Sequence, residues 1–432
     1  MNNRSRKSFS LIALVLGVGL CVALGTWTAH AKETKSEEQE TKKFGISRVV
    51  AEQLLEAYEL LESEHYDDAL AIVDGLAKRR KLQPPEIAQI HRFRAYIFVN
   101  KDQNELAIVE FEKSLALNAM EAEAEQVMMY SLAQIYTELG KYDRGLALMN
   151  RWFESAESPK ADAYFLKAMI LVQQKNFRDA AEPAAKALEL SDKPKESWLT
   201  LDGVINTQLK DYPKVEKTLE QLVEIAPSKS QYWMQLAAVQ QHVGHEEKAL
   251  ATMQLAYQAG ILKGDKELRQ LASLLLLGQQ PFECARVIEN ALASRVVKAD
   301  VDAYRLMANC LIAARESEKA LEPLAKGGEL APDGDMYLLL GQLYLQRDRF
   351  ELAIEALEKG LQKAKPAQSG SAHLLLGIAQ LGNEKFVEAE RSFKIAAGDS
   401  KLSRAAESYL KFLEAKQVAP QPQPASGSAT GG

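Results

Sequence analysis

The sequence predicts an all-α solenoid of about ten helical hairpins forming a right-handed superhelix, closed by a C-terminal capping helix. Three observations predict it. A small residue recurs at Ala57, Ala95, Ala133, Ala168, Gly203, Ala237, Ser273, Ala308, Gly341 and Gly377, in steps of 33 to 38 residues. Twelve positions after each comes a second series: Ala69, Ala107, Gly145, Ala180, Val215, Ala249, Ala285, Ala320, Ala353 and Ala389. One close-approach point on each of two helices per repeat is the pattern of a stacked hairpin array. The third observation is compositional. Hydrophobic residues make up 47% and charged residues 26% of the 432, and no strand-like alternation competes with the helix formers Ala, Leu, Glu and Lys.

Residues 1–31 read as a signal peptide. Arg4, Arg6 and Lys7 give a positive start, Phe9 to Leu24 an apolar core, and Ala29-His30-Ala31 the small-x-small site cut by signal peptidase, leaving Lys32 as the mature start. The alternative is an uncleaved anchor, since the apolar run could almost span a bilayer. Cys21 is a poor lipidation site, because Leu20 precedes it where a small residue is needed. Residues 32–47, KETKSEEQETKKFGIS, form a charged tether. Cleavage removes three basic residues and no acid, leaving 50 Lys and Arg against 59 Asp and Glu, a net charge of −9. That balance disfavours nucleic acid as a partner.

The array covers 48–398. Its third repeat, MMYSLAQIYTELGKYDRGLALMNRW, places Met129, Leu132, Ala133 and Tyr136 on one face of a first helix. Gly140 closes the turn, and Tyr142, Gly145, Leu146, Met149 and Trp152 line the second helix. Seven repeats carry an aromatic just before the second helix, namely Tyr66, Tyr142, Phe177, Tyr212, Phe282, Phe350 and Phe386, expected to wedge between helices. Asn104, Glu246 and Ser317 hold that slot elsewhere, so those hairpins are expected to close less tightly. Pro227 and Pro332 stop second helices. Residues 399–416 form the capping helix, with Leu402, Ala406, Tyr409, Leu410 and Leu413 on one side. The tail, 417–432, has no apolar periodicity and is expected to be disordered. Cys284 and Cys310 fall on neighbouring helices and read as separate buried thiols, with a bridge as the alternative.

A small residue at repeat position eight, an aromatic at seventeen, a small residue at twenty and an occasional Pro at thirty-two resemble the tetratricopeptide repeat, over about residues 49–398. The layout has a narrower resemblance. A leader and a charged tether precede LLEAYELLESEHYDDALAIVDGLAKRRKL, then MMYSLAQIYTELGKYDRGLALMNRWF and KESWLTL. In this it is similar to periplasmic tetratricopeptide proteins assigned to TonB-type energy-transduction systems of Gram-negative bacteria. The resemblance implies a partner among TonB, ExbB, ExbD or the outer-membrane receptors they energise, and a periplasmic location, or an inner-membrane anchor facing the periplasm.

The repeat frame points Tyr96, Tyr130, Phe165, Met169, Met234 and Leu274 toward a groove lined by first helices, with Gln134 and other amides between them. Such a strip suits an extended or helical peptide; packing between repeats is the alternative reading of each ring. Arg305 and Asn309, four apart, resemble half of the clamp by which some tetratricopeptide domains hold a C-terminal carboxylate. Gln342, Ser371 and Leu375 stand where the remaining amide and cations belong. His242 and His245 have metal-like spacing but no third ligand, so no metal is expected. There is no phosphate-cradling glycine loop, nucleophile elbow or activated Cys-His pair. The sequence therefore reads as an exported protein-interaction scaffold, without cofactor, small-molecule substrate or catalysis. Assembly of envelope polysaccharide export or secretion machinery is the second reading, and a metal-binding or enzymatic protein the third.

Overall fold

In the computed structural model residues 45–363 and 366–418 are described, and the regular structure among them is helical throughout. Contacts divide the chain into two units, Met1–Leu222 and Val223–Gly432. Five hairpins belong to the first: α1 (Arg48–Glu62) with α2 (Tyr66–Ala77), α3 (Pro84–Asn100) with α4 (Asn104–Ala116), α5 (Ala122–Glu138) with α6 (Tyr142–Ser155), α7 (Ala161–Gln173) with α8 (Phe177–Glu189), and α9 (Glu196–Gln208) with α10 (Tyr212–Ile225). The second holds α11 (Ser230–His242) with α12 (Glu246–Gln258), α13 (Asp265–Leu277) with α14 (Pro281–Ala293), α15 (Val301–Ala313) with α16 (Leu321–Leu330), α17 (Asp335–Leu345) with α18 (Phe350–Lys363), and α19 (Pro366–Gly382) with α20 (Phe386–Ala397). Helix α21 (Ser403–Val418) follows, stacking Tyr409 on Phe393 at 4.8 Å. The leader with Cys21, the tether through residue 44 and the tail from 419 lie outside the described residues. No described helix is long and apolar enough to cross a membrane.

One turn geometry closes all ten hairpins. Glu64, Asp102, Gly140, Lys175, Lys210, Gly244, Gln279, Arg315, Asp348 and Glu384 each have φ between 53° and 82°. The next amide donates to the carbonyl five residues back, as in His65 to Leu60 (2.8 Å), Lys141 to Tyr136 (2.7 Å) and Asn176 to Leu171 (2.9 Å). This left-handed residue with its long-range bond satisfies carbonyls that the helix end would leave bare. Gly140 closes its turn as the sequence predicts, but only one other hairpin, at Gly244, uses glycine.

The small residues do what their spacing predicts, with one register correction. Ala57, Ala95, Ala133, Ala168, Ala237 and Ala308 have no exposed surface. In the seventh hairpin Ser273 is exposed and its predecessor Ala272 is fully buried, while Cys284 is more deeply buried than Ala285. The true close-approach pair is therefore Ala272 and Cys284, still twelve apart and one position earlier. This register also accounts for Phe282, expected as a wedge but 62% exposed. The other six aromatics of that slot are half-buried. Among the hairpins expected to close loosely, α4 and α12 begin at Asn104 and Glu246 like their neighbours; only α16 starts late, at Leu321.

Successive hairpins meet through a regular contact. Gly145, at position twenty, would bring a Cβ to 3.5 Å from Ile170 at position ten of the next first helix. In the second unit the equivalent positions are Cys284 and Cys310, which form a disulfide with a Cα separation of 5.7 Å. The bridge thus occupies an ordinary inter-repeat contact and replaces the expectation of two separate thiols.

Candidate partner-binding surface

Two positions on each first helix, three before and one after the small residue, line the candidate strip. In the first unit they run from closed to open between the second hairpin and the fifth, while Tyr58 of the first is half-buried. Leu54, Arg92, Tyr96 and Gln134 are buried, Tyr130, Phe165 and Met169 are half-buried, and Thr200 and Val204 are exposed. In the second unit Ala238, Ser273, Asn309 and Gln342 are exposed, beside half-buried Met234, Arg269, Arg305 and Leu338.

Three expected groove residues are therefore removed from the strip. Tyr96 packs edge-on against Phe111 of its own hairpin, with ring centroids 5.2 Å apart and planes at 84°, because the interior beside Ala95 has room for a whole ring. Gln134 is buried beside Ala133. Leu274 is 2% exposed: with Ala272 as the true small residue, it takes the inward position that Ile135 and Ile170 hold in other repeats.

The remaining rings are partly exposed and mutually braced. Tyr130 lies 6.1 Å from Trp152 and donates its hydroxyl to the Asp162 carbonyl at 3.4 Å. Burial first, with the nearby Asp162 charge second, pushes its phenol above the ordinary range. Phe165 stacks on Trp198 at 5.3 Å, and Lys195 caps that indole at 4.8 Å. These contacts link successive hairpins, so each ring is both a packing element and a half-open apolar surface. Met169 and Met234 pack at the edges of their cores.

Position five of the seventh hairpin is Arg269, which the shifted frame hid in the sequence. Its guanidinium donates to both carboxylate oxygens of Asp300 at 3.0 Å and to the Lys298 carbonyl at 3.0 Å, and also pairs with Asp265. Although burial opposes its charge, the hydrogen bonds it donates to Asp265 and Asp300 raise its pKa. Asp265 is lowered chiefly by its bond from Arg269, and Asp300 is lowered against its own desolvation by the same partner. Arg269 therefore ties α13 to the start of α15 and is not free for a ligand. Arg305 lies 3.9 Å from Asp333, Asn309 is exposed, and Leu375 is half-buried, so the clamp-like pair has no completed cation set around it. Among the described residues no group of three or more His, Cys, Asp or Glu could hold a metal ion.

The tetratricopeptide repeat model matches residues 54–122, 130–193, 314–372 and 338–406, more than half of the chain. The protein belongs to the tetratricopeptide repeat family. No curated protein matches it in sequence. Among solved structures it is similar to a tetratricopeptide repeat protein from Parabacteroides merdae, with 14% identity over 61% of this chain and 100% of that one, and a TM-score of 0.37. It is also similar to the C-terminal part of a repeat-containing protein from Cytophaga hutchinsonii, with 15% identity, coverage of 65% and 95%, and a TM-score of 0.38. A third is YrrB, a tetratricopeptide repeat protein with an unusual peptide-binding site, with 15% identity, coverage of 40% and 85%, and a TM-score of 0.34.

Proposed function

We propose that this chain is an exported scaffold that captures a segment of a partner protein along its first helices, as an accessory component of a TonB, ExbB and ExbD energy-transduction system. The observation that carries the capture reading is the exposed run of position-nine residues within the second unit, Ala238, Ser273, Asn309 and Gln342. Small and amide side chains there leave backbone-sized room and hydrogen-bonding groups, which suits an extended chain. In the first unit, exposed Val204 and partly exposed Phe165 and Met169 offer apolar area of their own. A partner segment that orders on binding would be held with modest affinity and exchange readily.

Export rests on the positive, apolar and Ala-x-Ala succession of residues 1–31, and the TonB assignment on the resemblance of the tether and opening repeats. The test is a cross-linked pull-down from the cell envelope with the full chain expressed at native level, with mass spectrometry of its N-terminus. A mature start at Lys32 and recovery of TonB, ExbB or ExbD support the proposal. An intact leader in a cytoplasmic fraction removes export, and recovery of glycan-export or secretion machinery in place of TonB proteins removes the assignment.

A further inference from the structure

Residues 78–83, KRRKLQ, join the first hairpin to the second, and Lys78, Arg79, Arg80 and Lys81 are all exposed. None of the four makes an ion pair or a side-chain hydrogen bond among the described residues; Arg79 acts on the carboxylate of Glu86 only through charge at longer range. Other exposed cations keep an acid three or four places away, as Lys214 does with Asp211 and Lys326 with Glu322. One or two cations at the end of α2 would complement its dipole. Four in succession repel one another, and none donates to a carbonyl of that helix. The loop is held at its end: left-handed Lys81 (φ 66°) turns the chain, Leu82 packs against the first core, and Gln83 precedes α3 as its cap. A separate observation fixes what lies beside it. Buried Glu86 accepts from the Ser47 amide at 3.1 Å and the Ser47 hydroxyl on one oxygen, and from the Gln83 amide at 2.8 Å on the other. One carboxylate thus clamps the residue before α1 to the end of the basic loop, so the corner where the tether joins the array is the corner that carries the four cations. Over residues 32–44 four lysines match four glutamates, which leaves that stretch no net charge with which to neutralise the loop.

We propose that this corner docks on the surface of a lipid bilayer rich in anionic headgroups, with Lys78, Arg79, Arg80 and Lys81 meeting the lipid phosphates. The inference goes beyond the capture reading and does not depend on which partner is captured. A short connecting loop with four exposed cations suits a plane of negative charge, which requires no shaped cleft. None of the four stacks on an aromatic ring among the described residues, as a surface for single-stranded nucleic acid would need. The Cys284–Cys310 bridge also belongs to an oxidising compartment, where a membrane leaflet is the polyanion at hand. With a net charge of −9 after leader cleavage, most of the chain is repelled by the same surface, so one corner rather than an arbitrary face turns to the membrane. A basic cluster without a lipid chain gives reversible attachment that salt weakens.

The experiment uses the mature chain from Lys32, which keeps every described residue and removes the apolar leader as a source of binding. Probes are vesicles of phosphatidylcholine with one-third phosphatidylglycerol, vesicles of phosphatidylcholine alone, inorganic phosphate, duplex DNA and a triglutamate peptide, read by vesicle sedimentation and calorimetry. The mixed vesicles are expected to bind at least tenfold more tightly than the neutral ones, and the difference is expected to shrink as salt is raised. Each single change, Lys78→Gln, Arg79→Gln, Arg80→Gln or Lys81→Gln, is expected to weaken binding by about fivefold, and the four together to abolish the preference. Arg79→Lys with Arg80→Lys keeps the charge and is expected to bind as wild type does. Lys175→Gln with Lys210→Gln, which removes two exposed cations from hairpin turns, is expected to leave binding within about twofold. Equal binding to the two kinds of vesicle overturns the proposal, as does an undiminished preference in the fourfold variant or an equal loss in the Lys175 and Lys210 variant. Loss of binding in the charge-keeping variant overturns it by showing a shaped site. Tighter binding of phosphate, DNA or triglutamate than of the mixed vesicles overturns it by assigning the loop to another class of ligand.

Discussion

Gly334 lies so close to the backbone of Gly360 that a methyl group on it would occupy the space of the Gly360 carbonyl oxygen. The obstacle is main chain in α18, which cannot rotate aside as a side chain can. Gly334→Ala is therefore expected to cost about 1–3 kcal/mol through overpacking. Gly203 is the contrast, since its added Cβ meets only Thr218 Cγ2 at 3.7 Å, an ordinary contact. There, inside α9, Gly203→Ala is expected to gain about 0.5–1 kcal/mol from reduced unfolded-state freedom and better helix propensity. Denaturation midpoints of opposite sign for the two variants check this; a loss at both sites would mean that the two glycines are equally enclosed.

The ten turns permit a second test, because eight of them hold a side chain in a backbone region that favours glycine. Lys175 (φ 62°) and Lys210 (φ 60°) are two such positions. Replacing either with glycine relieves the clash between Cβ and the backbone and is expected to stabilise the protein by about 1 kcal/mol. Gly140→Ala should show the reverse. Its Cβ would meet nothing within 4 Å, so the cost there is purely backbone conformation at φ 70°. Thermal melts of the three variants give the answer, and identical melting points would remove the left-handed residue as an energetic feature.

Cys284 and Cys310 join α14 to α15, and the pairing of Arg269 with Asp300 links the same two hairpins. A Cα separation of 5.7 Å lies within the range that a bridge needs. With 26 residues of sequence separation, loss of the bridge is expected to lower stability by about 2–4 kcal/mol. Peptide mapping without reductant tests for the cross-link, and Cys284→Ala with and without reductant tests its contribution. If reductant shifts the wild type and the variant equally, the bridge contributes nothing.

Most of the architecture could be read in the sequence because packing imposes it locally. A stacked hairpin tolerates only a small side chain at Ala57, Ala133 or Ala308, and that demand repeats down the chain. The seventh repeat misled for a physical reason: Ala272 and Ser273 are both small, as are Cys284 and Ala285, so size alone could not fix the register, and Phe282 agreed with the wrong choice. One position of error then carried Leu274 from core to groove and concealed Arg269. Tyr96 shows a different limit, since its frame was right and its burial depended on Phe111, a partner that periodicity does not name. Spacing locates a residue on a helix face, while satisfaction of its hydrogen bonds depends on the neighbouring hairpins.

Acid should act on the first unit through Glu110. Burial alone would raise its carboxyl, but hydrogen bonds from Lys113 at 2.7 Å and with His91 at 2.6 Å outweigh it and hold the group below its ordinary value. The folded pKa is depressed, so the stabilisation is fully present above the unfolded value of about 4.3 and is lost as pH falls through the lower folded value. Glu110→Gln should therefore be less stable than wild type at neutral pH, with the gap closing below about pH 4. Denaturation curves across that window check it, and a gap independent of pH would assign the effect to packing.

Lys363 caps a helix that is not its own. From the end of α18 its ammonium donates to the carbonyls of Gly328 (2.7 Å), Glu329 (3.1 Å) and Ala331 (2.9 Å), the bare acceptors at the C-terminus of α16. Charge-assisted bonds to the negative end of a helix dipole are the favourable arrangement. The late start of α16 makes it the shortest second helix described, with the fewest internal bonds to hold it. Lys363→Met keeps most of the apolar stem and removes three donors at once, so it is expected to cost about 1–3 kcal/mol and to speed amide exchange in α16. Lys359→Met is the matched control: Lys363 and Lys359 both reach the Tyr337 ring, at 5.5 and 5.9 Å, but Lys359 is exposed and caps no carbonyl in the bonds seen. If both variants exchange alike, the ring contact rather than the cap holds α16; a difference confined to Lys363→Met assigns the stability of the eighth hairpin to a side chain from the ninth.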